Sequence, residues 1–194
     1  LMLRGDVETS EFESLAAEHG IPMQANRCVI YFYFQDMEAE TAIKLMADSL
    51  DSEDDRLAEV GRHSVAMLKT ISEDETFEEL EEYARAIEST FLTETGHGVF
   101  IGISEPREDL ISIPEAFEEA RSAINVGRIY HTNRTVFVYR NLLLERFLNE
   151  VTPEMSAGYN SKIFNRKTAR LFNEEMIHTI ETFFDNSLNL SETA

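Results

Sequence analysis

The feature that most constrains the fold is the run Cys28–Phe34, CVIYFYF, in which every residue is apolar. A strand with one face in water alternates apolar and polar residues, because successive side chains point to opposite faces. This run does not alternate, so it predicts a central strand that is covered on both faces. It also contains the only cysteine of the chain, Cys28, which we expect to be a buried structural thiol.

The order of the predicted elements indicates the fold class. Gly61, Arg62 and His63 separate two strand-like runs, as the turn of a β-hairpin does. The order is βαββαβ, which is typical of a ferredoxin-like α+β fold with helices on one face of an antiparallel sheet. The predicted elements are helix 9–19, strand 28–34, helix 38–50, strands 57–60 and 64–71, helix 76–93, strand 99–104, helix 114–129 and strand 136–139.

Three sequence motifs predict where helices begin. Ser10, Ser72 and Ser112 are each followed three residues later by a glutamate. In such a capping box the serine accepts a backbone N–H from the first turn, and the glutamate reaches back to the serine N–H. The motifs therefore predict helix starts beside these serines, and Pro114 fits the first turn of the third helix because it lacks an N–H.

Composition divides the chain into three predicted segments. Residues 1–24 form an N-terminal helix and lead-in, 25–140 form the α+β domain, and 141–194 form a helical segment. Within the last segment Ile177, Ile180 and Phe184 lie on one face of a predicted helix at 168–186. No basic-then-apolar leader and no run long enough to cross a bilayer occur, so we expect a cytoplasmic location and no membrane contact.

The charge of the chain bears on its partners. The formal net charge is −20 at pH 7. A polypeptide this acidic repels phosphate backbones, whereas nucleic-acid-binding proteins usually carry a basic face. We therefore expect this chain to bind DNA poorly by itself, and an acidic surface also keeps a protein in solution.

Several motifs occur in an order that resembles a known family. They are the strand IGIS at 101–104, the helix FEEARSAI at 117–124, VFVY at 136–139 and LLLERFL at 142–148. Together they resemble the bacterial sugar-diacid and purine-catabolism transcriptional regulators (the CdaR/PucR type), in the C-terminal half of their GGDEF-like domain. The resemblance implies a nucleotide-cyclase-like architecture.

The resemblance also implies a function. The ending NLSETA at 189–194 resembles the front of the family's helix-turn-helix domain, so we expect the DNA-reading helix to be missing from this chain. The family implies a non-catalytic regulatory or dimerisation domain, a homodimer, and DNA contact through the missing helix-turn-helix alone. A small-molecule effector of unknown identity is possible in such a regulator.

The turn Val60–Val65 weakens the rival interpretation, a diguanylate cyclase. True cyclases carry Gly-Gly-Asp/Glu-Glu-Phe at this turn, whereas here the residues are VGRHSV. Asp36 could stand at the position of a cyclase metal ligand, but two-metal phosphoryl chemistry needs several oxygen ligands. We therefore predict no enzyme activity, no catalytic residue, no metal ligand and no cofactor. The alternative is a degenerate cyclase-like domain that binds a nucleotide or other small effector, with Arg62 and His63 as the candidate effector turn.

Overall fold

The computed structural model describes residues 9–47, 50, 52, 54–72, 74–163 and 173–186. The chain divides into two compact units, Leu1–Phe147 and Leu148–Ala194. The first unit contains a six-stranded sheet in the order β2-β3-β1-β4-β6, and β5 also pairs with β1. The strands are β1 (Gln24–Phe34), β2 (Arg56–Gly61), β3 (Ser64–Thr70), β4 (Val99–Ile103), β5 (Arg107–Asp109) and β6 (Val136–Val138).

Among the described residues, five α-helices begin in the first unit. They are α1 (Thr9–Glu18), α2 (Ala39–Met46), α3 (Phe77–Thr95), α4 (Ile113–Tyr130) and α5 (Leu143–Asn149), the last of which runs across the boundary between the units. Short 3₁₀ helices at Leu110–Ser112 and Tyr139–Leu142 precede α4 and α5. No helix within the described ranges is long and apolar enough to span a membrane.

The sheet confirms the predicted α+β fold. β1 lies between β3 and β4 and is antiparallel to both, and β2 and β3 form the predicted hairpin. The order β2-β3-β1-β4 is that of the ferredoxin-like βαββαβ unit. β6 extends this unit by pairing with β4 in parallel, so one pair departs from an otherwise antiparallel sheet.

Helices cover both faces of the sheet, which confirms the covering predicted for β1. On one face Ile30, Phe32 and their neighbours in β1 are buried against α2 and α3. On the other face Val29 is buried against α1 and α4. The double coverage predicted for the apolar run is therefore confirmed. The two helices of the βαββαβ unit, α2 and α3, lie on one face as predicted, and α1 and α4 add a layer on the other. Apolar residues on both faces of β1 and β3 require two covering layers.

The residue that caps α3 differs from the predicted one. Thr76 is the N-cap: its hydroxyl accepts the Glu79 N–H at 3.3 Å, and Glu79 accepts the Thr76 N–H at 2.7 Å. Ser72 forms only half of the predicted box, because its N–H donates to Glu75 at 3.2 Å while the chain becomes helical after Thr76. Where acidic residues are dense, a Ser/Thr-x-x-Glu pattern recurs and several registers compete.

The other two predicted caps are also wrong. Ser112 has helical backbone angles and makes no capping bond, because a 3₁₀ turn precedes α4. Asp109 caps that turn by accepting the Ile111 N–H at 2.9 Å. Ser10 lies inside α1 rather than before it, and its carbonyl accepts the Ser14 hydroxyl.

Two further boundaries differ from the prediction. β1 begins four residues earlier than expected because Gln24 and Arg27 pair with β5, a strand that the sequence pattern did not predict. α2 ends at Met46 rather than at 50. β5 has only three residues, all of them charged, so it carries no apolar alternation that could reveal it.

The second unit is helical where it is described. α6 (Pro153–Ile163) and α7 (Glu174–Asp185) are its full helices. Asn173 caps α7 by accepting the Met176 N–H at 2.9 Å. The predicted start of this helix at 168 and the NLSETA ending lie outside the described residues.

Gly102 in β4 allows α4 to lie close against the sheet. A Cβ at Gly102 would overlap the Ala120 carbonyl oxygen and lie 3.1 Å from the Ile124 side chain. Because backbone is the obstacle, no rotamer change can relieve the overlap. The contact fixes the distance between β4 and the helix that leads to α5.

We expect Gly102→Ala to lower the free energy of unfolding by about 2–3 kcal/mol, since α4 must move away from β4 to admit a methyl group. Urea unfolding measures the change. Gly98→Ala is the control, because a Cβ there meets nothing within 4 Å. Equal stability of the two variants would contradict the close approach.

Cys28 is fully buried, which confirms the structural role expected for this thiol. Where β1 pairs with β3, Cys28 lies opposite Lys69. The Lys69 ammonium group lies 3.7 Å from Glu75 and 4.4 Å above the Tyr83 ring. Burial raises the pKa of the Cys28 thiol to about 12, and the nearby Lys69 charge only partly opposes this. The thiol is therefore neutral at physiological pH and unsuited to nucleophilic chemistry.

We expect Cys28 in the folded protein to react with a thiol reagent at pH 8 about 10³-fold more slowly than in denaturant, because it is buried and protonated. Absorbance after adding the reagent measures this rate.

The raised pKa of Cys28 also affects stability against pH. Its contribution to the free energy of unfolding is fully present below the unfolded pKa of about 8.5 and is lost as pH rises from there through about 12. Cys28→Ala should lack that alkaline loss, and rapid labelling of the folded protein would contradict the assignment.

Candidate functional site

The turn between β2 and β3 is tied to the end of β1 by its backbone. The His63 carbonyl accepts the Phe34 N–H at 2.9 Å, and the Arg62 carbonyl accepts the Ala39 N–H at 2.8 Å. Ala39 opens α2, so the turn satisfies one of the N–H groups that a helix start leaves without a partner. These two bonds bring the candidate effector turn against the loop 35–38.

The side chains of the candidate turn contact the same loop. The Arg62 guanidinium donates to Glu38 Oε1 at 3.0 and 3.3 Å. His63 Nδ1 lies 2.8 Å from the Met37 carbonyl oxygen. Both side chains of the candidate turn therefore make polar contacts within this chain.

Exposure limits what the turn can do. The side chains of Arg62 and Glu38 are 76% and 61% exposed, and an ion pair in water contributes about 1 kcal/mol or less to stability. An anion that binds Arg62 must compete with the carboxylate of Glu38. Asp36 is exposed in the same loop, so the local charge opposes an anionic ligand.

Metal-assisted chemistry needs converging ligands. Within the described ranges, no three His, Cys, Asp or Glu side chains come together in a way that could hold a metal ion. Asp36 and Glu38 are the acidic residues of the loop after β1, and Glu38 is paired with Arg62. The charged side chains Arg62 and Glu38 therefore pair with each other where they are exposed to solvent.

Buried polar side chains lie near the end of β3, at Arg27 of β1 and at Asp55 just before β2. Arg27 is 2% exposed and donates to the Pro22 carbonyl at 2.8 Å, while Asp55 is 3% exposed and accepts the Thr70 N–H at 2.8 Å. Burial lowers the pKa of Arg27 below its usual value, and the charge of Asp54 opposes this. Neither residue was predicted from the sequence to be buried. Arg27 directly precedes the apolar run 28–34, and this position beside a strand predicted to be covered on both faces is the sequence feature that indicates a buried charge.

Comparisons with known proteins agree with this architecture. The family model for the GGDEF-like domain matches residues 4–126. The purine catabolism regulatory protein of Bacillus subtilis (strain 168) is 27% identical over 97 residues, which is 50% of this chain. The chain spans only 18% of the length of that curated relative.

Two solved structures are similar to the chain. The regulator of polyketide synthase expression from Bifidobacterium adolescentis matches with a TM-score of 0.53 at 18% identity, over 99% of this chain and 72% of that one. At this identity the likeness shows the fold alone. The GGDEF domain of DgcB from Caulobacter crescentus, solved in complex with c-di-GMP, has a TM-score of 0.43 at 15% identity, over 66% of this chain and 83% of that one.

The family match covers more than half of the 194 residues. The curated relative is named as a regulator, as the resemblance implies, and the sheet agrees with the architecture that the resemblance implies. The chain belongs to the family of GGDEF-like domains.

Proposed function

We propose that the chain is a non-enzymatic regulatory domain of a bacterial DNA-binding transcriptional regulator. The observation that carries this proposal is the similarity to a purine catabolism regulatory protein over half of the chain. The turn at 60–65 supports it, because both acidic residues of a cyclase turn are replaced. The solved structure of a regulator of polyketide synthase expression has a similar fold, which is consistent with this proposal.

Charge supports a division of labour between this chain and a separate DNA-binding segment. At a net charge of −20, the chain as a whole repels a phosphate backbone. DNA contact in this proposal belongs to a helix-turn-helix that follows the NLSETA ending. The GGDEF-like domain then sets the spacing of two such heads, since paired half-sites require a fixed separation.

The degenerate cyclase-like alternative is less well supported. The Arg62 and His63 side chains are engaged by Glu38 and the Met37 carbonyl, so a nucleotide gains little by binding there. Calorimetry with GTP and magnesium separates the two proposals. Binding at micromolar concentrations would favour the alternative, whereas its absence together with DNA binding by the full gene product favours the regulator.

A surface at the end of α4 and on α5 suits a second subunit in this proposal. His131, which ends α4, lies 2.7 Å from Glu145 of α5, and Arg146 stacks 3.6 Å from the Tyr139 ring. These contacts hold the start of α5 against the sheet unit. Ile129, Leu143 and Phe147 are between 61% and 68% exposed, and exposed apolar side chains that adjoin one another are typical of interaction surfaces. We name Ile129, Leu143 and Phe147 the α4–α5 surface.

We expect the full gene product to bind DNA from its own control region at about 150 mM salt, and the 194-residue chain alone not to bind it, because its net charge of −20 repels the phosphate backbone. Gel retardation with labelled and competitor DNA measures both. Sequence-specific binding by the chain alone would contradict the proposed division. A full product without DNA binding would contradict the regulator itself.

We expect Phe147→Glu to convert a dimer of the chain into a monomer, since a buried unpaired carboxylate costs several kcal/mol. Sedimentation velocity measures the oligomeric state. Leu92→Glu on α3 is the matched control, because Leu92 is also an exposed apolar residue of a helix but lies on the other covering layer. Loss of the dimer in both variants, or in the control only, would reject this surface.

A further inference from the structure

The first unit contains a cavity of about 300 Å³ between α1 and the hairpin β2–β3. Phe12 and Leu15 of α1 form one wall, and Leu110 and Ile113 close one end. Ala58 and Ala66 form the floor. This volume falls within the range of about 300–1,000 Å³ that is typical of small-molecule pockets.

Small side chains explain why the cavity exists. Ala58 and Ala66 are direct partners across β2 and β3, so two methyl groups stand together where larger residues would reach α1. Gly20, with φ at +63°, ends α1 and allows the Ile21 N–H to return to the Ala16 carbonyl at 2.8 Å. The helix is therefore held above the floor without filling the space beneath it.

In the described part of the chain, two polar residues line the cavity, Arg56 and His19, and both have basic side chains. Arg56 pairs with Leu68 across the strands, so its side chain is on the face of the sheet that α1 covers. Its guanidinium also donates to the Asp55 carbonyl at 3.0 Å. His19, near the end of α1, adds an imidazole. None of the described residues that line the cavity is acidic, although the chain carries 37 acidic residues.

We propose that this cavity binds a small molecule with an apolar body and a single carboxylate. The body would contact the side chains of α1 and the two alanines, and the carboxylate would lie at the Arg56 and His19 edge. Apolar cavities are poorly hydrated, so an apolar ligand replaces few favourable water contacts. A guanidinium binds a carboxylate through charge-assisted hydrogen bonds.

The chemistry of the lining separates this ligand from a nucleotide. A triphosphate needs several donors or a metal ion, whereas this cavity offers two basic side chains and otherwise apolar walls. The site lies on the face of the sheet covered by α1 and α4, whereas the Arg62 turn contacts the start of α2 on the other covering layer. The inference does not rest on the regulatory role, because the cavity would bind its ligand whether or not the chain controls transcription.

The test uses octanoate and its uncharged counterpart 1-octanol as probes. Methyl NMR of the 194-residue chain should show shifts at Ala58 and Ala66 with octanoate, and none at Ala42 and Ala84 in the opposite core. We expect a Kd for octanoate at or below about 1 mM, at least about fivefold lower than that for octanol because of the charge on Arg56. In Arg56→Gln the two probes should bind equally.

Two variants locate the binding within the cavity. Ala58→Leu fills the floor from the edge strand and should weaken both probes about tenfold or more, since the space for the apolar body is lost. Ala17→Leu adds the same group to the exposed side of α1 and should leave binding unchanged. Leu15→Phe fills the cavity from the helix and should also weaken both probes if Ala58→Leu fails to fold.

Three outcomes would overturn the proposal. One is the absence of shifts at Ala58 and Ala66 at about 5 mM of either probe, a concentration that would detect even weak binding. Another is octanol binding as tightly as octanoate, which would remove the carboxylate from the ligand class. The third is loss of a dimer in Ala58→Leu without probe binding, which would assign the cavity to contact between two copies.

Discussion

The structure depends on the burial of β1 on both faces. β1 pairs with β3 and β4 along its length and with β5 at its start. Its side chains enter two separate cores, one beneath α2 and α3 and the other beneath α1 and α4. Each large apolar side chain that is fully buried contributes about 1.5–3 kcal/mol, so a chain with CVIYFYF at its centre is stable only as a three-layered arrangement.

The helical layer formed by α1 and α4 positions both the cavity and the α4–α5 surface. Because Gly102 lets α4 approach β4 closely, the end of α4 reaches the start of α5, where His131 contacts Glu145. On the same face α1 is held more loosely above Ala58 and Ala66, which leaves the cavity. A ferredoxin-like unit with one helical layer would offer neither the cavity nor the α4–α5 surface.

The sequence predicted elements with strong periodicity and missed those defined by partners. The apolar run and the hairpin around Gly61 follow from local pattern, and both were predicted correctly. β5 is strand only because Arg107 and Asp109 pair with the start of β1, a contact between distant positions. Buried Arg27 was missed for the same reason, since burial of a charge depends on its surroundings. The Arg62 turn was located correctly, but its pairing with Glu38 is not visible in a single sequence.

The distribution of charge bears on which surface two copies of so acidic a chain could share. Over residues 128–147 there are four arginines and one glutamate, a local balance of +3 within a chain whose net charge is −20. Exposed charges farther apart than about 8 Å are largely screened at physiological salt, so repulsion depends mainly on the residues close to a contact. Arg128 and Arg146 lie over the Phe100 and Tyr139 rings, which keeps positive charge close to the α4–α5 surface. Repulsion between the carboxylates of two copies is therefore smaller at the α4–α5 surface than over the acidic remainder of the chain, and the charges that two copies meeting there must keep apart are those of the arginines.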